Sequence, residues 1–371
     1  MEIPVRSSFR RQEITFHITG ERNMDKVKVG FVGCGMMGQL AHLTNFLESE
    51  RCEVVALAEK REKLGRKVAE KYGIPNLYGS HEELCANDEI DAVVEITEDD
   101  LHAPIAIDLM NAGKHVFTEK PMATSLADAE KMAETAQEKN VKLMVGYMKR
   151  YDPGVEKAKE IVDDLIRSGE IGAITFVRSH CFGGDWVCNI GRPISTDEPA
   201  PEIKSRLPDW LPAELGREFK GYNNVYCHNI NLLRFLVGEI KGISSVQLSK
   251  PGRYGKVVVF DFGPFLGTLE TGGVSANFWD EEMKIYFEDG WIEIFTPPPL
   301  LRNVPAKVKV YKAGKIQEVI TPYAEWDWSF RRADEHFLEC IIEDKEPRSS
   351  GKDSMEDLRV MESIFKKRLG I

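Results

Sequence analysis

Gly33-Cys34-Gly35-Met36-Met37-Gly38 sets three glycines in a G-x-G-x-x-G spacing. An apolar strand built on Val27, Val29, Phe31 and Val32 enters this turn, and a helical stretch leaves it and runs to about Ser49. Gly33 permits the tight turn, Gly35 lets backbone approach a pyrophosphate, and Gly38 lets helix pack closely on strand. Free N–H groups at the helix start then face the phosphates. Met36 and Met37 lie in the same turn and are counted with the three glycines as cofactor-binding. Glu59 follows roughly 20 residues later, at the end of the strand Glu53–Ala58, where a carboxylate accepts hydrogen bonds from an adenosine ribose. It would repel a 2′-phosphate, which favours NAD. Lys60 and Arg61 come next and keep NADP open. The competing reading is a glycine turn with no ligand, and the strand–turn–helix context argues against it.

Two residues have the chemistry to move a proton and stabilise charge. Lys120 follows the short strand His115–Phe117, on the carboxyl edge of a parallel sheet, where ligands bind. An ammonium there can hydrogen-bond a substrate hydroxyl and stabilise the negative charge that develops on it. The competing reading is an exposed surface lysine. His228 lies on a helical stretch read as Tyr222–Val237, and imidazole suits removal of an alcohol proton near neutral pH. Its competing reading is a packing or capping histidine. The expected pocket wall is His180–Asn189, where Trp186 offers an aromatic face to sugar C–H groups and Asp185 a hydroxyl acceptor. Arg150 is expected to face the cleft. No cluster of Arg and Lys suggests a substrate phosphate, so an uncharged sugar or glycoside is favoured. His180, Cys181, Cys188, Cys227 and His228 match no compact metal-binding spacing, and no metal is expected.

These groups need a scaffold. The chain has 371 residues, more than the roughly 250–300 that one core serves, so two domains are expected. Lys and Arg number 49 against 60 Asp and Glu, a net charge of −11, which argues against a nucleic-acid binder. No apolar run approaches the roughly 20 residues of a membrane span, and residues 1–23 do not read as a signal peptide. Seven scattered cysteines, an odd number, suggest reduced thiols and a cytoplasmic protein.

From Lys26 to about Arg150 strands alternate with helices, the pattern of a doubly wound parallel sheet. Ser125 and Asp128 open one of these helices, and Gly113 closes another. After Arg150 the pattern changes: a helix over about Gly154–Ser168, a strand over Ile171–Ser179, an irregular stretch over 183–220, and then hairpin strands. Asp289-Gly290 between two alternating runs is a strong hairpin signal. The C-terminus is helical, with Leu358, Met361, Ile364, Phe365 and Leu369 on one face. The expected fold is α/β: an N-terminal Rossmann sheet over 26–149, then an α+β domain with a large, mostly antiparallel open sheet over 150–371. Residues 1–25 form an N-terminal extension in which 11–20 alternate as an edge strand would; Met24 is an alternative start.

Thr97-Glu98-Asp99-Asp100-Leu101-His102-Ala103 and Asn111-Ala112-Gly113-Lys114-His115-Val116-Phe117-Thr118-Glu119-Lys120-Pro121 resemble the glucose–fructose oxidoreductase/inositol dehydrogenase/rhizopine catabolism (Gfo/Idh/MocA) family. Gly146-Tyr147-Met148-Lys149-Arg150-Tyr151 and Gly169-Glu170-Ile171-Gly172 resemble it too. The resemblance implies a nicotinamide cofactor, cofactor contacts at Thr97, His102 and Glu119, catalytic Lys120 and His228, and a sugar or cyclitol substrate. It also implies homodimers or homotetramers through the open sheet. One departure stands out. The family's catalytic helix usually carries Asp four residues before the His and three after it. Here both are amides, Asn224 and Asn231. Asn224 is expected to orient the His228 ring and contact substrate without adding charge, with Lys120 or Tyr226 carrying more of the proton transfer. The departure also leaves room for a non-catalytic NAD(P)-binding regulator, or a glycosidase-like enzyme that uses NAD transiently.

Overall fold

The computed structural model describes residues 26–249, 255–273 and 277–371. The extension over 1–25, with its expected edge strand, lies outside the described residues.

Six strands form the first sheet: β1 (Val27–Val32), β2 (Cys52–Ala58), β3 (Asn76–Tyr78), β4 (Ala92–Glu95), β5 (His115–Thr118) and β6 (Leu143–Val145). Their order is β3-β2-β1-β4-β5-β6, and every pairing is parallel. Helices cover both faces of such a sheet, so its central strands read as continuous apolar runs rather than alternating ones. All four residues of β4 are buried. The strand order reverses between β1 and β4, which opens a crevice at their carboxyl ends.

The second sheet contains β7 (Ile174–Gly184), β8 (Gly242–Leu248), β9 (Lys256–Asp261), β10 (Leu266–Thr271), β11 (Trp279–Phe287), β12 (Gly290–Phe295), β13 (Lys307–Ala313) and β14 (Gln317–Ile320). Its order is β14-β13-β12-β11-β7-β10-β9-β8. Every pairing is antiparallel except β7 with β10. The β11–β12 hairpin forms where the Asp289-Gly290 signal predicts it, but its two turn residues are Glu288 and Asp289, and Gly290 already pairs with Phe287 as the first residue of β12. Inward-facing Val177, Ile285, Ile292 and Val308 share one core with Phe219, Leu233 and Phe365 from the covering helices.

Three elements differ from the sequence reading. The strand expected over Ile171–Ser179 runs over Ile174–Gly184, so the first residues of the expected pocket wall lie in the sheet. The helix expected over Tyr222–Val237 begins at Gly216. Its first turns looked like loop because Gly216 and Gly221 flank a charged stretch. The charges are partnered instead, Glu218 with Lys256 and Arg368, and Lys220 with Asp100, while Phe219 is buried beneath them. The helix Ser329–Ile342 had no clear sequence signal. It lays Ala333, Phe337 and Leu338 against Phe31, Phe46 and Phe117 of the first sheet's core. Trp328, next to it, is buried against Phe330, whereas Trp326 is 80% exposed.

Candidate active site

A cavity of about 1070 Å³ spans the crevice, lined by the glycine turn, Glu59, Lys120 and His228 together. Gly33 has φ +84°, and a Cβ there would meet the Ile96 carbonyl oxygen at 2.3 Å, so no other residue fits the turn. A Cβ on Gly35 would stand in open space, so this residue sets how closely a ligand can approach the backbone. Gly38 lies under the turn; its Cβ would sit 3.1 Å from the Gly33 carbonyl oxygen, consistent with close helix–strand packing. Met36 and Met37 line the cavity.

Glu59 also lines it, with its carboxylate already engaged. It accepts from the Cys34 backbone N–H at 3.0 Å and from Arg61 through Nε at 2.8 Å and Nη2 at 2.9 Å. Burial pushes its pKa up, but the Arg61 fork and the backbone donors win and hold it below the usual carboxylate range. Thr97 lies two residues past the end of β4, and its N–H and hydroxyl both bond to buried Glu95. His102 bridges two loops, with Nδ1 2.8 Å from the Pro121 carbonyl and Nε2 3.3 Å from that of Thr97. Glu119 accepts from the Lys120 backbone N–H at 3.0 Å and contacts His42 Nε2 at 2.9 Å. On its other side His42 meets Asp334 at 2.9 Å. Burial opposes charge on His42, yet these two carboxylates raise its pKa to about 10, so it sits as an imidazolium between them. This chain of contacts ties the Lys120 backbone to the helix Ser329–Ile342.

Lys120 Nζ donates to the Asn224 carbonyl oxygen at 3.0 Å and lies 3.5 Å from its Oδ1. His228 lines the same cavity with its Nδ1 buried and unpartnered, which leaves Nε2 as the nitrogen open to a ligand. Burial, then the positive charges of Lys120 and Lys149, push its pKa well below 6.5, so the ring is neutral at neutral pH.

Several expectations change here. Asn224 does not orient the histidine: its Nδ2 donates to Asp99 at 3.2 and 3.1 Å. Tyr226 donates its hydroxyl to the Gly272 carbonyl at 2.9 Å, and burial raises its pKa to about 12, so it is no base near neutral pH. Arg150 is not among the lining residues. It is buried, bonded to Asn231 Oδ1 at 2.6 Å and paired with Asp353 at 2.7 Å. Asn231 in turn donates to Asp357 at 2.7 Å, which makes it part of a structural network rather than of the site. Asp185 folds back onto the Val187 and Cys188 N–H groups, capping a turn, while Trp186 beside it does line the cavity.

Sequence reasoning missed two features. Lys149, adjacent to Arg150, lines the cavity and forms a buried pair with Glu281, which also accepts from Asn229 and Thr296. The segment after β7 crosses the end of the crevice nearest the glycine turn and Glu59. Ile194 is clamped by the Gln39 amide, Glu198 accepts the Lys63 and Leu64 N–H groups, Arg206 reaches Asp100 and Asp128, and Pro201 and Ile203 line the cavity between. The length of this irregular stretch was its only advance signal.

Residues 27–147 match the model of an oxidoreductase family with an NAD-binding Rossmann fold. The match to this model, Gfo/Idh/MocA, is confined to the first sheet and its helices, and the cofactor class it carries is nicotinamide dinucleotide. Among relatives, it is 27% identical over 278 residues to a myo-inositol 2-dehydrogenase of Thermotoga maritima, covering 72% of this chain and 74% of that one. It is 34% identical over 166 residues to an inositol 2-dehydrogenase of Salmonella typhimurium, covering 43% and 47%. The fold is similar to that of an aldose-aldose oxidoreductase from Caulobacter crescentus, with a TM-score of 0.72 at 23% identity over 93% of this chain and 98% of that one.

Proposed function

We propose that the protein is an NAD(P)-dependent dehydrogenase acting on a secondary hydroxyl of a sugar, glycoside or cyclitol. The observation that carries this reading is the meeting of Lys120 and His228, from different halves of the chain, in the same cavity as the glycine turn and Glu59. The turn, Glu59, Thr97 and His102 would hold the dinucleotide. A bound nicotinamide supplies the hydride acceptor. Lys120, anchored on the Asn224 carbonyl with Asn224 Oδ1 3.5 Å away, keeps at least one of its three N–H donors for the substrate oxygen and stabilises the charge developing there. His228, held neutral, takes the hydroxyl proton at Nε2. Trp186 supplies an aromatic wall for the substrate. The reading includes a cytoplasmic homo-oligomer assembled through the second sheet, whose outer face exposes Val257, Leu266 and Phe295. Among the described residues no helix is long and apolar enough to cross a membrane.

His228→Ala is expected to cut kcat by about 10²–10⁴-fold, the usual contribution of a positioned base, with dinucleotide binding little changed. Unchanged turnover would overturn the reading. The depressed histidine pKa sets the sign of the pH response. The base is already deprotonated at pH 6.5, so kcat/KM for alcohol oxidation should not fall there through its protonation, and its acid limb should appear well below that pH. An acid limb centred at 6.5 in wild type and absent from His228→Ala would contradict this.

Cofactor choice gives another test. Glu59→Ala removes the ribose acceptor and frees Arg61 to meet a 2′-phosphate. NADH affinity is expected to drop about tenfold, the worth of one charged hydrogen bond, while NADPH affinity rises. Fluorescence titration with both nucleotides reads the ratio; an unchanged ratio would remove Glu59 from the cofactor site.

A further inference from the structure

We propose that Asp99 is a positioning residue for Lys120, acting through Asn224, in an arrangement that admits one carboxylate and one amide but not two carboxylates. This rests on reading Lys120 as the group that polarises the substrate hydroxyl. Asp99 opens the helix Asp99–Asn111 beside the first sheet, and Asn224 lies on the helix Gly216–Val237 beside the second. All three residues line the cavity.

The hydrogen bonds fix the amide's orientation. Asn224 Nδ2 has both Asp99 oxygens within 3.2 Å, so its Oδ1 is turned toward Lys120 Nζ, 3.5 Å away, beside the backbone carbonyl that holds the ammonium at 3.0 Å. The negative charge therefore reaches the lysine through a neutral amide rather than by direct pairing. Direct pairing would occupy further ammonium protons that the substrate oxygen needs. The amide also joins the two halves of the site, so the lysine's position depends on both helices.

An aspartate at position 224 would set two carboxylates about 3 Å apart, and like charges that close cannot both ionise. Asn224 and Asp99 are thus a matched choice: Asn224 avoids a second charge, and Asp99 supplies the only one in this contact. Exchanging the two groups is nearly isosteric and preserves a single negative charge.

The test is a cycle of Asn224→Asp, Asp99→Asn and the double variant, read by steady-state kinetics at saturating dinucleotide and by thermal unfolding. Asn224→Asp is expected to lose about tenfold or more in kcat, with KM changed less than about threefold, and to melt several degrees lower. In the double variant both kcat and melting temperature should recover most of that loss. An Asn224→Asp protein as active and stable as wild type would overturn the proposal. So would a double variant whose losses are the product of the singles. If wild type showed no turnover with any alcohol, the function proposed above would fail while melting temperatures still read the pair: recovery in the double variant would support the contact, and additive losses would refute it.

Discussion

Lys120→Ala is expected to lower kcat by about 10²–10³-fold, or roughly 3–4 kcal/mol of transition-state stabilisation, the usual cost of deleting one donor aimed at a developing oxyanion. Dinucleotide affinity should move little, because the glycine turn, Glu59 and Thr97 keep their own partners. Glu119 bonds to the Lys120 backbone N–H, which the substitution retains, so the loop keeps its anchor to His42. Lys120→Arg should restore little, since a planar fork cannot take the place of a compact ammonium seated on the Asn224 carbonyl. Turnover within about threefold of wild type would remove Lys120 from the chemistry. A loss of nucleotide binding comparable to the loss of kcat would make it a cofactor residue instead.

The second large effect is on stability. Asp357 is buried and receives Arg234 Nη1 at 2.6 Å and Asn231 Nδ2 at 2.7 Å, while Arg150 holds the other end of Asn231. Asp357→Ala leaves the Arg234 guanidinium, only 1% exposed, without its most buried partner. Removing one member of a buried ion pair costs about 3–5 kcal/mol. Arg234 keeps Glu239 and Asp353, so the lower end applies, about 3 kcal/mol, or roughly 6–12 °C in melting temperature. Asp357→Asn, which retains an acceptor, should lose less. A melting temperature for Asp357→Ala within 2 °C of wild type would contradict the structural role given to this network.

The same network shows what could and could not be read from the sequence. The Gly33–Gly38 turn, Glu59 and the sheet-edge position of Lys120 were legible because each follows from local strand–turn–helix order. His228 was legible through its helix and the residues around it. Arg150 was expected to face the cleft because it adjoins a motif, and Asn231 stands where the family usually has Asp, but their partners Asp353 and Asp357 lie far along the chain on the helix Gly351–Leu369. Lys149 was passed over for its neighbour because its partner Glu281 is 132 residues away. Asp99 has no role legible within its own Thr97–Ala103 motif, since only the fold brings it to Asn224, 125 residues on. The parallel sheet announced itself by apolar runs separated by helices, whereas the helix Ser329–Ile342 packs on that sheet from the far end of the chain, a contact no local pattern encodes.

The most direct test of the central claim is hydride transfer by the wild-type protein. The purified protein is incubated with NAD⁺ or NADP⁺ and a panel of sugars, glycosides and cyclitols, and reduced nucleotide is followed by absorbance while products are identified. Reduction is expected with one class of polyol, dependent on both Lys120 and His228. Tight nucleotide binding without reduction by any member of the panel would contradict it.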